Sequence, residues 1–403
     1  MNRHKTLERE PLRQEAPEYH VSGHDTDGRD TDGHAASGAA RRIAPLRGPV
    51  HATAVRGRPV LAVGPVSTVW RPLHVAVIIA LAAALFVVFC LNVGRGDVPI
   101  PFGDVTSVLT GGGERLQRFI IMELRLPRSL IGLFVGLGLG ISGAITQSVA
   151  RNALASPDVL GITQGAGTAA VAVILGGAGA ATGAFATLGL PLAALAGGLG
   201  TALLIYVLAW RRGVDGFRLV LVGIGIGTAM QALTQWMLIR ADINDVGRAQ
   251  VWLTGSLGRA SWSQVMPIGI GIGVVGVIAV IGAFTLATMR LGDDVARGRG
   301  ARLQSGRAVL LLAAVALAAI ATAAAGPIGF VAFVAPQVAL RLARTEGPPL
   351  IASALTGALL VVGGDLIART VLPVELPVGI VTSMIGGPFL LYLLVRANRR
   401  GSR

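Results

Sequence analysis

Ten apolar runs occupy most of this chain after residue 72, and no other feature narrows the possible folds so far. They cover roughly residues 73–93, 129–149, 159–176, 186–210, 217–239, 264–288, 306–325, 328–344, 350–371 and 377–396. Each is about 17–25 residues long, the length an α-helix needs to cross the hydrocarbon of a bilayer. Inside lipid every backbone N–H and C=O must find a partner within the segment, so such runs fold as helices. The expected fold is all-α: a polytopic membrane protein with about ten transmembrane helices, formed by residues 73–403. Composition agrees. Only 14% of the 403 residues are charged, against about 25% in an ordinary soluble domain. Glycine is abundant, at 56 residues, as suits helices that pack backbone to backbone.

Residues 1–72 are polar and lack an apolar period, so a disordered cytosolic tail is expected there. Asp25-Thr26-Asp27-Gly28 recurs at Asp30-Thr31-Asp32-Gly33, flanked by His24 and His34. The spacing and closing Glu of a calcium loop are missing, so the repeat reads as low-complexity tail and no metal site is expected. Orientation follows from arginine placement. Counting alternate loops and the C-terminal tail, one side carries 15 arginines and the other 9. The richer side is cytoplasmic, which places both termini on the cytoplasmic side of the cell membrane. The net charge of +14 therefore follows topology and implies no nucleic acid.

Several chemistries are excluded by what the chain lacks. All six His lie in the first 74 residues, so the membrane region has no imidazole to serve as base or proton relay. The single Cys90 gives neither a disulfide nor a thiolate site. Lys5 is the only lysine, so a P-loop, which needs Gly-Lys-Ser/Thr, cannot be present. Any ATP used is bound by another chain. No acidic residue is expected near the bilayer midplane, where ion-coupled transporters keep one. An enzyme is not expected, nor is a cofactor.

The motifs punctuate helix ends. Gly138-Leu139-Gly140-Ile141-Ser142-Gly143 matches a dinucleotide fingerprint, but it lies inside an apolar run with no strand before it. Gly132, Gly136 and Gly140 instead form a stripe for helix packing, repeated at Gly223 and Gly227. Arg125-Leu126-Pro127-Arg128 precedes the second run, so a helix start is expected near Pro127. Arginines there oppose the helix dipole, which leaves headgroup anchoring or an acidic external partner as their role. Asp365 and Arg369 have the spacing of an intrahelical ion pair. Ser156-Pro157-Asp158 marks the start of the third helix, with Asp158 in its first turn. Residues 291–302 form the longest inner loop, either a plain linker or a docking helix.

Taken together these segments resemble the FecCD/BtuC-like permeases of ATP-binding-cassette importers. The resemblance spans nearly all of residues 73–396. It rests on Arg125–Arg128; Ser142, Gly143, Ala144 and Gln147; Arg151-Asn152, Leu154-Ala155 and Pro157; Leu160-Gly161 through Gly167; Trp252–Ser256; Leu291-Gly292; and the three C-terminal islands Gly326–Phe330, Asp365–Arg369 and Glu375–Ile380. It implies a permease that moves ferric siderophore across the cell membrane, with haem or vitamin B12 as the alternative cargo and ion-coupled transport as a more distant one. It implies a second permease, identical or paralogous, two cytosolic ATPases and an extracytoplasmic siderophore-binding protein. Arg125, Arg128 and Arg369 would meet that binding protein. Leu291, Gly292, Asp293, Asp294, Val295, Ala296 and Arg297 would couple to the ATPase. The fifth and tenth helices would flank the path, with Gly223, Gly227, Met230, Gln231, Thr234, Gly379, Thr382 and Ser383 along it. Two positions depart from the family: Ala153 stands where Pro is usual, and Gln337 follows Pro336 where His is usual. The second is the pattern of catecholate-type members.

Overall fold

The computed structural model describes residues 60–63, 66–69, 72–96, 98–176, 184–210, 216–283, 286, 303–371 and 374–401. The chain divides into Met1–Val60 and Leu61–Arg403, and the second unit is the subject below. The expected tail lies largely outside the described residues, as does its Asp-Gly repeat. Its end forms a two-stranded sheet of β1 (Val60–Val63) and β2 (Val66–Val69).

Helices account for nearly all the rest. They are α1 (Pro72–Gly94), α2 (Phe102–Leu109), α3 (Arg115–Phe119), α4 (Leu126–Ala150), α5 (Ile162–Leu175), α6 (Ala184–Ala209), α7 (Gly216–Ile239), α8 (Ile243–Leu253), α9 (Trp262–Ile281), α10 (Leu303–Ala325), α11 (Val331–Ala343), α12 (Leu350–Thr370) and α13 (Val378–Gly401). Among the described residues eight helices are long and apolar enough to cross a membrane, and α5 and α11 are shorter apolar helices. Those eight and two coincide with the ten expected runs. The four turns of α5 and α11 are too short to span alone, because each begins after a break that carries its own polar groups.

The centre of the bundle is α4. It packs against α9, α10, α11 and α12. Ile131, Val135 and Leu139 are buried there against Leu257, Ala321, Ala325 and Val361. The glycine stripe explains how the helices come so close. A Cβ on Gly136 would strike the backbone of Ala358, one on Gly140 the carbonyl of Ser353, and one on Gly143 the carbonyl of Ala332. The outer helices differ. Phe86, Phe217, Leu221, Val274 and Ile281 are exposed on α1, α7 and α9, as befits surfaces solvated by lipid.

The entry to α4 is not a simple helix start. A π-helical turn over Ile120–Arg125 joins α3 to α4 without a break. In that turn the Leu126 N–H donates to the Ile121 carbonyl. The same register would pair the next N–H with Met122, but Pro127 has none. The indole N–H of Trp262 fills the vacancy and donates to the Met122 carbonyl at 2.7 Å. Pro127 thus stands in the first turn of α4, as expected, and its missing N–H passes a hydrogen bond to another helix.

The third helix also starts later than its Ser-Pro-Asp signal indicates. Its N-cap is Gly161 at φ +82°, and α5 begins at Ile162. Gly161 sits against Gly223 and Gly227 of α7, with space for no side chain between them. Asp158 is thus in the turn before the helix and not in its first turn.

Candidate functional site

Two features bring polar groups together: a charged cluster at one end of α1, α4 and α12, and a cavity between α5, α7 and α13.

The cluster is organised by Asp365, which is 1% exposed. Its Oδ1 accepts from Nε and Nη2 of Arg128 at 2.9 and 2.7 Å. Its Oδ2 accepts from Nε of Arg369 at 3.2 Å, the expected pair within the helix, and from Nδ2 of Asn92 at 3.2 Å. Asn92 also donates to the Val362 carbonyl at 2.9 Å, while its Oδ1 accepts from Ser129 and Arg369. Arg128 reaches outward to Glu375, whose Oε1 lies 2.6 Å from Nη1 and is the exposed member of the group. Each of the four lone pairs of this buried carboxylate is therefore met by a donor. Arg125 has a different task. It is 6% exposed and donates to the carbonyls of Val93, Gly94 and Val98 at 3.2, 3.0 and 2.6 Å. Val93 and Gly94 end α1, so a cation here meets carbonyls of its last turn and the negative end of its dipole, while Val98 lies in the segment beyond it. Arg369 adds bonds to the carbonyls of Asn92 and Arg95. Arg125, which opposes the dipole of its own helix, thus serves that of another.

The sequence brought forward Arg125, Arg128, Arg369 and Asp365. It missed Asn92 and Ser129. A signal existed: an amide inside an otherwise apolar run is expensive in lipid unless it meets another helix.

Two of the three C-terminal islands, Gly326–Phe330 and Glu375–Ile380, meet the Trp252–Ser256 segment. The Ser256 N–H donates to Ala325 at 2.8 Å, and the Gly379 N–H to the Gly255 carbonyl at 3.0 Å. Gly255 and Gly326 have φ of +71° and +72°, and a Cβ on either would strike the backbone of the facing segment. Both positions need glycine for conformation and for space.

The cavity has a volume of about 660 Å³. Asn152, Ser156 and Asp158 of the turn after α4 contribute to it, with Gln164 of α5, Gly227, Thr228 and Gln231 of α7, Gly329 and Phe330 ahead of α11, and Leu390 and Leu394 of α13. The wall is mostly apolar with a few amides and hydroxyls, a surface that admits a solute without gripping it. Of the expected path residues, Gly227 and Gln231 face this cavity. Gly223 is one turn away, its missing Cβ leaving 3.0 Å to the Leu160 backbone. The Met230 carbonyl accepts from Thr168 at 3.0 Å, and Thr234 lies 2.9 Å from the same hydroxyl. Gly379, Thr382 and Ser383 lie in the first two turns of α13; Thr382 is buried and Ser383 donates to the Gly379 carbonyl at 2.7 Å. These last three lie at the junction of the islands and do not line the cavity, although Ser383 adjoins Gly329, which does. Residues 291–297 lie outside the described residues.

Asp158 has an unusual setting. Its two carboxyl oxygens are buried, and neither has a hydrogen-bond partner of good geometry. Burial pushes its carboxyl up to about 6, with the Phe330 N–H and Thr163 hydroxyl pulling partly back. On the far side of the turn, Gln147 and Gln337 pair inside the bundle. Gln337 Nε2 donates to Gln147 Oε1 at 2.7 Å, Gln147 donates to the Phe333 carbonyl at 3.1 Å, and Arg341 caps Gln337. The departure from His at position 337 thus supplies an amide link between α4 and α11.

Comparison with known proteins gives a consistent result. The profile of the FecCD transport family matches residues 81–396. The iron(3+)-hydroxamate import system permease protein FhuG of Bacillus subtilis (strain 168) is 41% identical over 318 residues, which is 78% of this chain and 95% of that protein. The ferric enterobactin transport system permease protein FepG of Escherichia coli (strain K12) is 37% identical over 322 residues, 79% of this chain and 96% of that one. In three dimensions the chain is similar to a metal-chelate type ABC transporter solved in an inward-facing conformation. The TM-score is 0.70 at 23% identity, with 80% of this chain and 99% of the other covered.

Proposed function

We propose, because the chain belongs to the FecCD transport family, that it is the permease subunit of an ATP-binding-cassette importer for ferric siderophores. The observation that carries the reading is the match over residues 81–396, which takes in α4 to α13 and every segment that lines the cavity. Relatives named for hydroxamate and enterobactin chelates support siderophore as the cargo class. The chain itself has no P-loop, so the energy comes from a separate ATPase pair docked on the cytoplasmic side, with residues 291–297 as the coupling segment. A second permease, identical or paralogous, completes the path against the face that carries α7 and α13. Both termini are cytoplasmic; a reporter fused after Arg403 that is active only outside the cell would contradict this. The test of the function is uptake of a labelled ferric siderophore by cells expressing the whole system. Uptake should vanish when the Walker-A lysine of the partner ATPase is replaced, and should survive an ionophore. The opposite pair of results would make the protein a gradient-driven carrier.

The charged cluster is the proposed docking face for an extracytoplasmic binding protein. Arg128 and Arg369 are held by Asp365 but keep edges toward the surface, while Arg125 is buried and shapes the α1 end beneath them. Acidic side chains of a partner would compete with Glu375 for Arg128. Such contacts weaken with salt. Replacing Arg128 with Gln should lower affinity about tenfold at low ionic strength and flatten its salt dependence. An unchanged salt dependence would leave the arginines as internal struts only.

A further inference from the structure

We infer that Asp158 is a positioning residue that biases the inner turn 151–161 toward a hydrated, open arrangement, and that neutralising it holds the turn closed. The carboxyl sits between the starts of two short helices that flank the cavity. Thr163 of α5 lies on one side and Phe330, the N-cap of α11, on the other. Phe330 is itself in the left-handed region at φ +65°, a conformation that strains a non-glycine residue. The turn around Asp158 is held by short-range backbone bonds: the Leu160 N–H donates to the Ser156 carbonyl at 3.0 Å, the Gly161 N–H to the Asp158 carbonyl at 3.2 Å, the Ala155 N–H to the Asn152 carbonyl at 3.1 Å and the Ile162 N–H to the Pro157 carbonyl at 3.3 Å.

Among the described residues Asp158 makes no ion pair, and burial dominates its setting. The charged groups on the elements packed around it are Arg151 after α4, Arg218 on α7, Arg341 on α11 and Arg396 on α13. Among the described residues lining the cavity it is the one ionisable group. A carboxylate shut from water without a cation is expensive, and the nearest relief is the cavity beside it. The sign follows. With the carboxyl raised to about 6, the closed form binds a proton more tightly than an open or unfolded chain. The penalty on the closed form is present above that value and is lifted as pH falls through it toward the ordinary aspartate range. Acid therefore closes the turn and neutral pH opens it. The inference rests on the cavity and not on the identity of the cargo.

The test uses the full chain in native membranes, with Cys90→Ser as background. Ser156 is 1% exposed, so Ser156→Cys reports opening through its rate of modification by a water-soluble thiol reagent. Asn152→Cys, exposed on the same turn, corrects for the pH dependence of the reagent. The corrected rate should rise at least several-fold from pH 5 to pH 7.5. Adding Asp158→Asn should hold it at the low value at both pH values, and Asp158→Glu should restore the rise. Equal rates with and without Asp158→Asn at pH 7.5, or a flat profile in the parent, would overturn the inference. Should Asp158→Asn fail to reach the membrane, Asp158→Ser serves in its place. Thermal unfolding in detergent gives a second readout, with the neutral variant melting higher than the parent at pH 7.5 and level with it at pH 5.

Discussion

Replacing Asp365 with alanine should remove the folded protein from the membrane almost entirely. The substitution leaves Arg128 and Arg369 side by side, with side-chain exposures of 13% and 9% and only the exposed Glu375 as a counter-ion. It also frees Asn92 from one acceptor. Breaking a buried pair by removing one partner costs about 3–5 kcal/mol, because the remaining charge stays buried without compensation. Here one carboxylate serves two guanidinium groups, so the upper part of that range applies. The comparison that isolates charge is Asp365→Asn, which keeps one acceptor oxygen and should lose less. The measurement is the yield of monodisperse protein after detergent extraction, with melting temperature for whatever survives. Equal yields of the alanine variant and the parent would show that the cluster is peripheral to stability.

Substituting Gly143 should be nearly as damaging for a different reason. Its Cβ would overlap the carbonyl of Ala332 on α11, a backbone atom that cannot rotate away. Even alanine must push α4 and α11 apart along a contact that also carries the Gln147–Gln337 link. Overpacking of this kind costs about 1–3 kcal/mol, and more when backbone must move. Gly273 on α9 provides the control, since a Cβ there meets nothing within 4 Å. Gly273→Ala should be neutral or slightly stabilising, because it removes glycine from a helix interior. Similar losses in the two variants would mean that helix flexibility, not close approach, sets the requirement.

The same contrast shows what the sequence could carry. Spans were legible because bilayer thickness fixes their length and lipid forbids polar backbone, so the ten apolar runs found their helices within a few residues. The glycine stripe of α4 was legible because period and residue size both mark it. Short helices were not: α2 and α8 are amphipathic pieces whose length and polarity resemble loops. The ion pair of Asp365 with Arg369 could be read from four-residue spacing. Its continuation to Asn92 crosses 273 positions of sequence, and no local pattern encodes that. The cavity was half visible. Gly227 and Gln231 belong to one helix and share a face, whereas Asn152, Asp158, Gln164 and Phe330 join them only through the packing of two turns. Gly161 explains why the signal at Ser156–Asp158 misled: a left-handed residue pressed against α7 postpones the helix start from Pro157 to Ile162.

The central claim is that the cavity beside α7 is the route taken by the cargo, and Thr228 gives direct access to it. Its side chain lies on the cavity wall and is exposed there, with one local bond to the Ile224 carbonyl at 2.9 Å. Thr228→Trp adds a bulky ring to a space of about 660 Å³ without disturbing the buried face of the helix. The decisive measurement is ATP-driven uptake of a labelled ferric siderophore into proteoliposomes holding the complete complex, with ATP hydrolysis followed in parallel. Uptake below about a tenth of the parent rate, with hydrolysis retained, is the predicted result. Uptake at the parent rate in a correctly assembled Thr228→Trp complex would place the route elsewhere.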